Sequence, residues 1–228
     1  MKYAPESFPK LQKLWGLVEY KPVWTLSLKG WLFIISILII LGIIFMRTIH
    51  PFLAMNNPIK AEVLVIEGWV GDIVIKEAIT EFKQGNYQLI ITTGSPLGRG
   101  SFLRDYKNYA ELTAATLMAL GIPKNKIIPI PTPVVNRDRT AASVEALKDW
   151  ITQSNLNIKA VNIYTYDVHS RRSWFVYKKM LNPKIQVGAI AHPGDYNTQQ
   201  WWTSSLGVKS VLSETIAYLY ARFFWKNL

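Results

Sequence analysis

The chain has 228 residues, half of them hydrophobic, and a formal net charge of +11. This length accommodates one domain of ordinary size with a short additional segment. The absence of cysteine excludes disulfides, thiolate metal sites and a cysteine nucleophile. The basic balance favours anionic partners such as lipid headgroups, phosphorylated lipids or acidic polymers. No nucleic acid partner is expected, because the basic residues form no run.

An apolar segment over residues 26–46 predicts one membrane-spanning helix. From Trp31 to Met46 only Ser36 and Gly42 interrupt the apolar run. About twenty residues at about 1.5 Å each suffice for one crossing. A buried core helix is the alternative, but a helix that is apolar on all faces is unusual in so small a domain. The segment is also too long for a typical signal peptide, and no A-x-A-like cleavage site follows it.

The charges on either side of this segment predict its orientation. Five lysines lie within residues 1–29, whereas Arg47 and Lys60 are the strong cations that follow the apolar run. By the positive-inside rule, residues 1–25 are a cytoplasmic segment. Residues 47–60 are then a tether, and the rest of the chain lies outside the cytoplasm of a bacterial cell. The expected location is the plasma membrane, crossed once.

Residues 61–228 alternate between strand-like and helix-like segments, which predicts an α/β domain. The expected strands are residues 62–67, 88–93, 126–130, 160–165 and 185–191. The expected helices are residues 74–84, 106–120, 140–152, 170–181 and 209–225, with Thr140 and Ser170 as N-caps. This alternation predicts a Rossmann-like parallel sheet of about five strands with helices on both faces. Ligands of such folds bind beyond the carboxyl ends of the strands.

Polar residues and glycines follow the first two strands. Glu67 stands at the tip of the first strand beside Gly68 and is an acid/base candidate, with a solvated turn residue as the alternative. The segment from Gly94 and Ser95 to Ser101 contains three glycines, two hydroxyls and an arginine. Backbone N–H groups of such a loop can cradle a phosphate. The pattern is not a Walker A motif, and a flexible loop is the alternative.

An anion-binding pattern follows the third strand, at the start of a helix. Arg137, Asp138, Arg139 and Thr140 bring two guanidinium groups to the positive end of a helix dipole. Such a place suits an anion, ideally a phosphate held bidentately. The alternative is a network of arginine and aspartate on the surface, together with a helix cap.

Asp167, His169 and Arg172 follow the fourth strand. His169 is one of three histidines in the chain, and a histidine beyond a strand can transfer protons, with Asp167 orienting its ring. A lone histidine is more often structural, but the neighbouring arginines favour a functional role. His192 and Asp195 follow the fifth strand, and with His169 they lack metal-ligand spacing, so no metal site is predicted. The motifs of α/β-hydrolases and of dinucleotide-binding proteins are absent, and no cofactor is indicated.

The order of these landmarks resembles the YdcF/SanA/ElyC-like proteins, over roughly residues 60–224. The chain reads AEVLVIEGW at the first strand, ALGIP at a helix end, Arg-Asp-Arg-Thr at a helix start and TYDVHSRRS after the fourth strand. The family pattern Thr-Ser-x-x-His-x-x-Arg-Ala falls on Thr165, Tyr166, His169, Arg172 and Ser173. Where the family commonly has Gly-Gly and Thr-x-x-Asn, this chain has Glu67-Gly68-Trp69 and Thr140-Ala-Ala-Ser143. The chain is therefore similar to a divergent branch.

The resemblance implies a Rossmann-like domain, often tethered by one helix. It also implies a role in cell-envelope biogenesis or barrier function that touches peptidoglycan or its lipid carrier. Among the candidate residues, it implies a functional role for His169 and Arg172 in particular.

Two hypotheses of function follow. In the first, an enzyme acts on a phosphorylated envelope intermediate, with Arg137, Arg139 and Arg172 on phosphate oxygens. His169 is then the general acid or base, and Glu67 is a second carboxyl group. In the second, a non-catalytic envelope factor binds an anionic ligand in the same pocket and serves as a scaffold. The aromatic C-terminal segment could lie at the membrane interface or against a partner, although a last core helix is the preferred interpretation.

Overall fold

The structure is a computed structural model that describes residues 24–98, 103 and 105–225. The chain divides into two compact units, the first ending at Gly42 and the second beginning at Ile43. The predicted cytoplasmic segment, residues 1–25, lies almost entirely outside the described residues. Part of the predicted glycine loop, residues 99–102, lies outside them as well.

The N-terminal helix, α1 (Leu28–Leu53), is long and apolar enough to cross a membrane, and none of its most apolar stretch is buried. It is longer than predicted, because it continues through Pro51 into the predicted tether. The packing of its last turns explains why the proline does not end it. His50 and Leu53 are buried, and the indole N–H of Trp201 donates to the carbonyl of Met46 at 2.9 Å. Tertiary contacts therefore outweigh the local proline signal.

A parallel sheet of five strands forms the centre of the second unit, which confirms the predicted fold class. The strands are β1 (Val63–Glu67), β2 (Leu89–Gly94), β3 (Ile127–Pro131), β4 (Ala160–Tyr166) and β5 (Gln186–His192). The helices are α2 (Asp72–Gln84), α3 (Tyr109–Ala119), α4 (Arg139–Gln153), α5 (Ser170–Leu181) and α6 (Ser205–Phe223). Each of these elements overlaps a predicted one.

The core lies on both faces of the sheet. Along β1, Val63 and Val65 point to the face covered by α4 and α5, whereas Leu64 and Ile66 point to the face covered by α2 and α3. This alternation follows from the two-residue period of a strand. Because both faces are covered, every residue of β1 is buried, and the strand is apolar except for its last residue.

The strand order β3-β2-β1-β4-β5 fixes where a ligand can bind. Strand β1 is paired with β2 on one side and with β4 on the other. The chain forms β2 and β3 on the first side and then crosses to the second side to form β4 and β5. The helices that follow β1 and β4 therefore lie on opposite faces of the sheet, which leaves a crevice at this topological switch point. Glu67 ends β1 there, and the 3₁₀ turn Asp167–His169 follows β4.

Two predicted helix caps are wrong. The N-cap of α4 is Asp138, whose φ of 57° is left-handed, so Thr140 already lies within the first turn. Helix α5 continues directly from the preceding 3₁₀ turn, so Ser170 has helical neighbours on both sides and caps nothing. Its hydroxyl donates instead to the carbonyls of Leu53 at 3.2 Å and Met55 at 2.9 Å. Ser170 thus ties the end of α1 to α5.

Candidate functional site

A cavity of about 770 Å³ lies beyond the carboxyl ends of the strands at the switch point. Its polar wall is formed by Glu67, His169, Arg172 and Glu214. Residues 136–140, which lead into α4, form part of its rim. The apolar wall comes from Val176 of α5 and mainly from the last helix and its flank, namely Ile216, Ala217, Tyr220, Ala221 and Trp225. The cavity therefore presents charged groups at one side and apolar surface at the other.

Glu67 is held firmly at the base of this polar wall. It is 3% exposed, which shows that the alternative of a solvated turn residue is wrong. Its carboxylate accepts hydrogen bonds from the hydroxyl of Thr165, on the neighbouring strand β4, and from Ser173 Oγ at 2.9 Å. A buried carboxylate requires such donors. Two hydroxyls on adjacent elements thus fix its orientation.

His169 lies between two carboxylates. Its Nδ1 is 2.9 Å from Glu214 Oε1, and its Nε2 is 3.6 Å from Glu67 Oε2. The ring meets Trp69 edge to face, with 4.9 Å between the centroids. The side chain is 13% exposed, and it lines the cavity. The ring is therefore held in place on several sides while it remains open to a ligand.

Glu214, on α6, is the site residue that the sequence did not indicate. Arg172 binds it bidentately, with Nε 2.8 Å from Oε2 and Nη2 3.2 Å from Oε1. Burial alone would raise the pKa of Glu214, but the hydrogen bonds and charges of His169 and Arg172 lower it to about 2. Burial lowers the pKa of Arg172, but the hydrogen bond and charge of Glu214 outweigh this and leave it raised. The pair is therefore ionised at neutral pH.

The ionised Glu214 determines the proton arrangement on His169. Nδ1 is 2.9 Å from Arg172 Nη2 as well as from the glutamate oxygen. An arginine only donates and a carboxylate only accepts, so Nδ1 cannot serve both at once. Arg172 keeps its two bonds to Glu214 in either tautomer. For the neutral form of the ring we therefore place the proton on Nδ1, donated to Glu214, which leaves the Nε2 lone pair on the side of Glu67 and of Arg172 Nη2.

Arg137 and Arg139 differ from Arg172 in having no carboxylate partner. Both are exposed and both line the cavity. Within residues 24–98, 103 and 105–225, neither forms an ion pair. Arg172, by contrast, has its guanidinium occupied by Glu214. An anion entering the cavity would therefore meet Arg137 and Arg139 as its available cations.

Two further predicted residues lie beside these arginines. Asp138 caps α4 and places a carboxylate near Arg172, whose pKa it helps to raise. The hydroxyl of Thr140 accepts from Arg172 Nη1 at 3.4 Å. The first turn of α4 thus contributes its positive dipole end to the cavity rim, although Asp138 offsets part of that positive potential.

Gly94 and Ser95 line the cavity at the end of β2. A Cβ atom on Gly94 would lie 2.6 Å from the Cβ of Tyr109 and 2.7 Å from the backbone nitrogen of Ala110. Gly94 is therefore required for the close approach of α3 to β2. The glycine loop continues to Gly98 within the described residues, and its role as a phosphate cradle stays a prediction.

The prediction that Asp167 orients His169 is corrected by the structure. Asp167 is 1% exposed and has a left-handed φ of 45°. Its Oδ1 lies 3.0 Å from His50 Nε2, and its Oδ2 accepts from the hydroxyl of Tyr196. The 3₁₀ turn directs Asp167 and His169 to different partners. The carboxylate that orients His169 is Glu214.

The remaining histidine and aspartate that were considered as metal ligands lie elsewhere. His192 stacks on Tyr166 at 6.1 Å between centroids, and its Nδ1 is bonded to the carbonyl of Pro193. Asp195 donates its backbone N–H to the Tyr166 hydroxyl. In the part of the chain that the structure describes, no group of three or more His, Asp or Glu side chains is placed to hold a metal ion.

A scan against models of known protein families gives no match, and a search of curated proteins gives none either. The geometry alone therefore defines the class of site. It is a histidine held between a buried carboxylate, Glu67, and a partly buried one, Glu214, on a cavity whose rim carries two arginines without carboxylate partners among the described residues. Such a site can bind an anion and transfer a proton next to it.

Proposed function

We propose that this protein is a membrane-anchored factor of cell-envelope biogenesis that acts on a phosphorylated envelope intermediate, for example one linked to a lipid carrier. The observation that carries the proposal is the position of His169. It is oriented by Glu214 and open to a cavity that also exposes Arg137 and Arg139. Proton transfer and anion binding are the two functions that hydrolysis or transfer of a phosphate group requires.

The proposed location follows from the N-terminal helix. Helix α1 has the length and composition of a single membrane span, and the flanking charges favour a cytoplasmic N-terminus. The domain is then extracytoplasmic, on the bacterial plasma membrane. The resemblance to YdcF/SanA/ElyC-like proteins, carried by TYDVHSRRS and the other landmarks, supports the envelope role.

In the hydrolytic form of this proposal, the phosphate oxygens bind Arg137 and Arg139 and the first turn of α4. The Nε2 lone pair of His169 takes a proton from a water molecule. The water oxygen forms a new bond to phosphorus as the bond from phosphorus to the leaving oxygen breaks. The leaving oxygen then takes the proton from the imidazolium, which Glu214 and Glu67 stabilise from its two nitrogens until that transfer.

A non-catalytic binding factor is the alternative, and one observation favours it. The polar groups of the inner wall satisfy one another: Arg172 is bound by Glu214, and Glu67 is bound by two hydroxyls. Arg137 and Arg139 at the rim have no carboxylate partner within the part of the chain that the structure describes. A site of this kind could hold an anionic ligand without transforming it, while the domain serves as a scaffold.

The test is phosphate release by the full chain in detergent or nanodiscs. The full chain is needed because a fragment that begins after α1 would lack His50, which is buried in the domain. The panel contains phosphomonoesters, nucleotide sugars and polyprenyl mono- and diphosphates, each with and without a divalent cation. His169→Ala is compared with the parent. His192→Ala is the matched control, because His192 does not line the cavity.

Turnover that is lost in His169→Ala and kept in His192→Ala would support the enzyme. Binding of a panel compound that weakens in an Arg137→Gln, Arg139→Gln variant, without turnover by any protein, would favour the binding factor. If no compound is bound or turned over, the proposal that this cavity binds a phosphorylated ligand is contradicted.

A further inference from the structure

Helix α6 has an apolar face that the described protein leaves uncovered. Ile216 and Phe223 are 70% and 72% exposed, although both are large hydrophobic residues. Apart from Leu206 in its first turn, the exposed apolar positions of the helix recur at the spacing of one helical face. They are Leu212, Ile216, Leu219, Tyr220 and Phe223. We call this set the α6 stripe.

The opposite face of the same helix already serves the core. Val211 and Ala221 are buried, and Val211 packs in a cluster with Leu53, Val168 and Trp201. The prediction of a last core helix therefore accounts for one face only. The outer apolar face of α6 is therefore expected to contact another apolar surface, because exposed apolar patches of this kind mark interaction sites.

The charges around the α6 stripe fit an anionic surface. Glu214 is the one acidic residue in α6, and its carboxylate is bound to Arg172 and His169 inside the site. Lys209 and Arg222 are the exposed cations of the helix. The outer surface of α6 thus combines apolar side chains with positive charge and has no exposed acid, as expected for a helix lying in the headgroup region of anionic lipid.

The position of α6 in the domain also points to a bilayer. Tyr218 of α6 meets Phe52 in the last turn of α1, with 5.4 Å between the ring centroids. The helix that carries the candidate membrane span therefore ends in contact with α6. Ile216 and Tyr220 belong to the α6 stripe and also line the cavity, so a surface that covers the stripe adjoins the cavity.

We propose that the α6 stripe lies on the surface of the bilayer that α1 crosses, as a second and peripheral membrane contact. The proposal rests on the membrane anchor and is independent of any reaction in the cavity. The apolar side chains would enter about 5–10 Å into the boundary between headgroups and acyl chains. Lys209 and Arg222 would lie at the level of the anionic headgroups.

The absence of cysteine allows a direct test on the full chain. Single-cysteine variants Leu212→Cys, Leu219→Cys and Phe223→Cys are labelled with an environment-sensitive fluorophore. The protein is reconstituted at a low protein-to-lipid ratio in vesicles containing phosphatidylglycerol, with and without lipids that carry a quencher at a known depth. Leu38→Cys, in the candidate span, is the positive control. Lys124→Cys, exposed before β3, is the negative control.

The expected result is a blue-shifted emission and loss of most fluorescence to the lipid-borne quencher at the three α6 positions, at a shallower depth than for Leu38→Cys. Lys124→Cys should be unaffected. Quenching at Leu38→Cys with α6 probes as exposed to water as Lys124→Cys would overturn the peripheral contact and keep the anchor. Shielding of α6 that grows with the protein-to-lipid ratio and resists the lipid quencher would assign the stripe to a second copy instead. Absence of quenching at Leu38→Cys would overturn the anchor and this contact together.

Discussion

Two carboxylate–histidine pairs lie on either side of one short turn, and they differ in what surrounds them. Asp167 and His50 pair at 3.0 Å, and Glu214 and His169 pair at 2.9 Å. The first pair is sealed, since Asp167 is 1% exposed and His50 is 7% exposed. The second pair opens onto the cavity, with Glu67 and Arg172 beside it.

The comparison shows that a carboxylate beside a histidine does not by itself make a reactive site. The sealed pair has its remaining acceptor used by Tyr196 and connects the end of α1 to the turn Asp167–His169. Its buried position between these two segments is that of a structural contact. In the open pair, by contrast, His169 lines the cavity. The His169 pair differs from the sealed pair in its accessibility, in the second carboxylate beside it and in the arginines at the rim, and these features make it the candidate for a reactive site.

The largest expected effect is on turnover, and it distinguishes the two histidines. His169→Gln should lower kcat by about 10²–10⁴-fold, because general acid–base catalysis contributes about that much. Its thermal stability should fall as well, because the imidazole is a hydrogen-bond partner of Glu214, so the turnover of the folded protein is what separates it from the second variant. His50→Gln should lower stability and keep most of the turnover of the protein that remains folded. Steady-state phosphate release and thermal unfolding of both variants provide the measurement.

The second effect is on stability, and it concerns Asp167. In Asp167→Ala, both His50 and the hydroxyl of Tyr196 lose their acceptor. An unsatisfied buried donor costs about 1–3 kcal/mol, so with two donors the free energy of unfolding should fall by about 2–6 kcal/mol. Urea unfolding of the full chain in micelles, followed by tryptophan fluorescence, measures it. Asp167→Asn keeps an acceptor and tolerates the left-handed φ, so it should lose clearly less. Equal losses in both variants would contradict the hydrogen-bond explanation.

The sequence could predict one residue of each pair, Asp167 and His169, and it also indicated Glu67 beside them. Strand periodicity identified β1 and β4, and the rule that ligands bind beyond strand ends singled out Glu67 and His169. Both do line the cavity. The parallel sheet and its covering helices followed from the same periodicity, because an apolar strand buried on both faces needs a helix on each side.

The partners of these residues could not be predicted, because they come from distant parts of the chain. Glu214 is 45 residues from His169, and His50 is 117 residues from Asp167. Adjacency in sequence favoured Asp167 as the partner of His169, but the left-handed φ of Asp167 turns the two side chains apart. A single acid in the apolar sequence of α6 was the signal that could have indicated Glu214.

The third prediction concerns how the free energy of unfolding depends on acidic pH through the open pair of Glu214 and His169. The pKa of Glu214 falls from its ordinary value of 4.5 to about 2 in the folded protein. The folded state thus favours the carboxylate, so this stabilisation is complete above pH 4.5 and is lost as the pH falls toward 2. It amounts to about 3 kcal/mol by linkage. The difference in unfolding free energy between the parent and Glu214→Gln should therefore shrink over that range. A difference that stays constant would contradict the lowered pKa.

The smallest expected effect concerns the sealed pair of Asp167 and His50. It shows whether the role of this pair is purely structural. Tyr196→Phe removes one hydrogen bond to Asp167 and should cost about 1 kcal/mol. Burial first, and then Asp167, raises the pKa of Tyr196 above its ordinary value of 10. The hydroxyl therefore remains a donor at neutral pH, and the loss should be constant from neutral pH up to pH 10 and disappear only when the pH rises further. Tyr106→Phe, at an exposed tyrosine that does not line the cavity, is the control. A fall in kcat at pH 7 much larger than the lost stability explains would mean that the sealed pair positions His169 through the turn, and the separation of the two pairs into support and chemistry would fail.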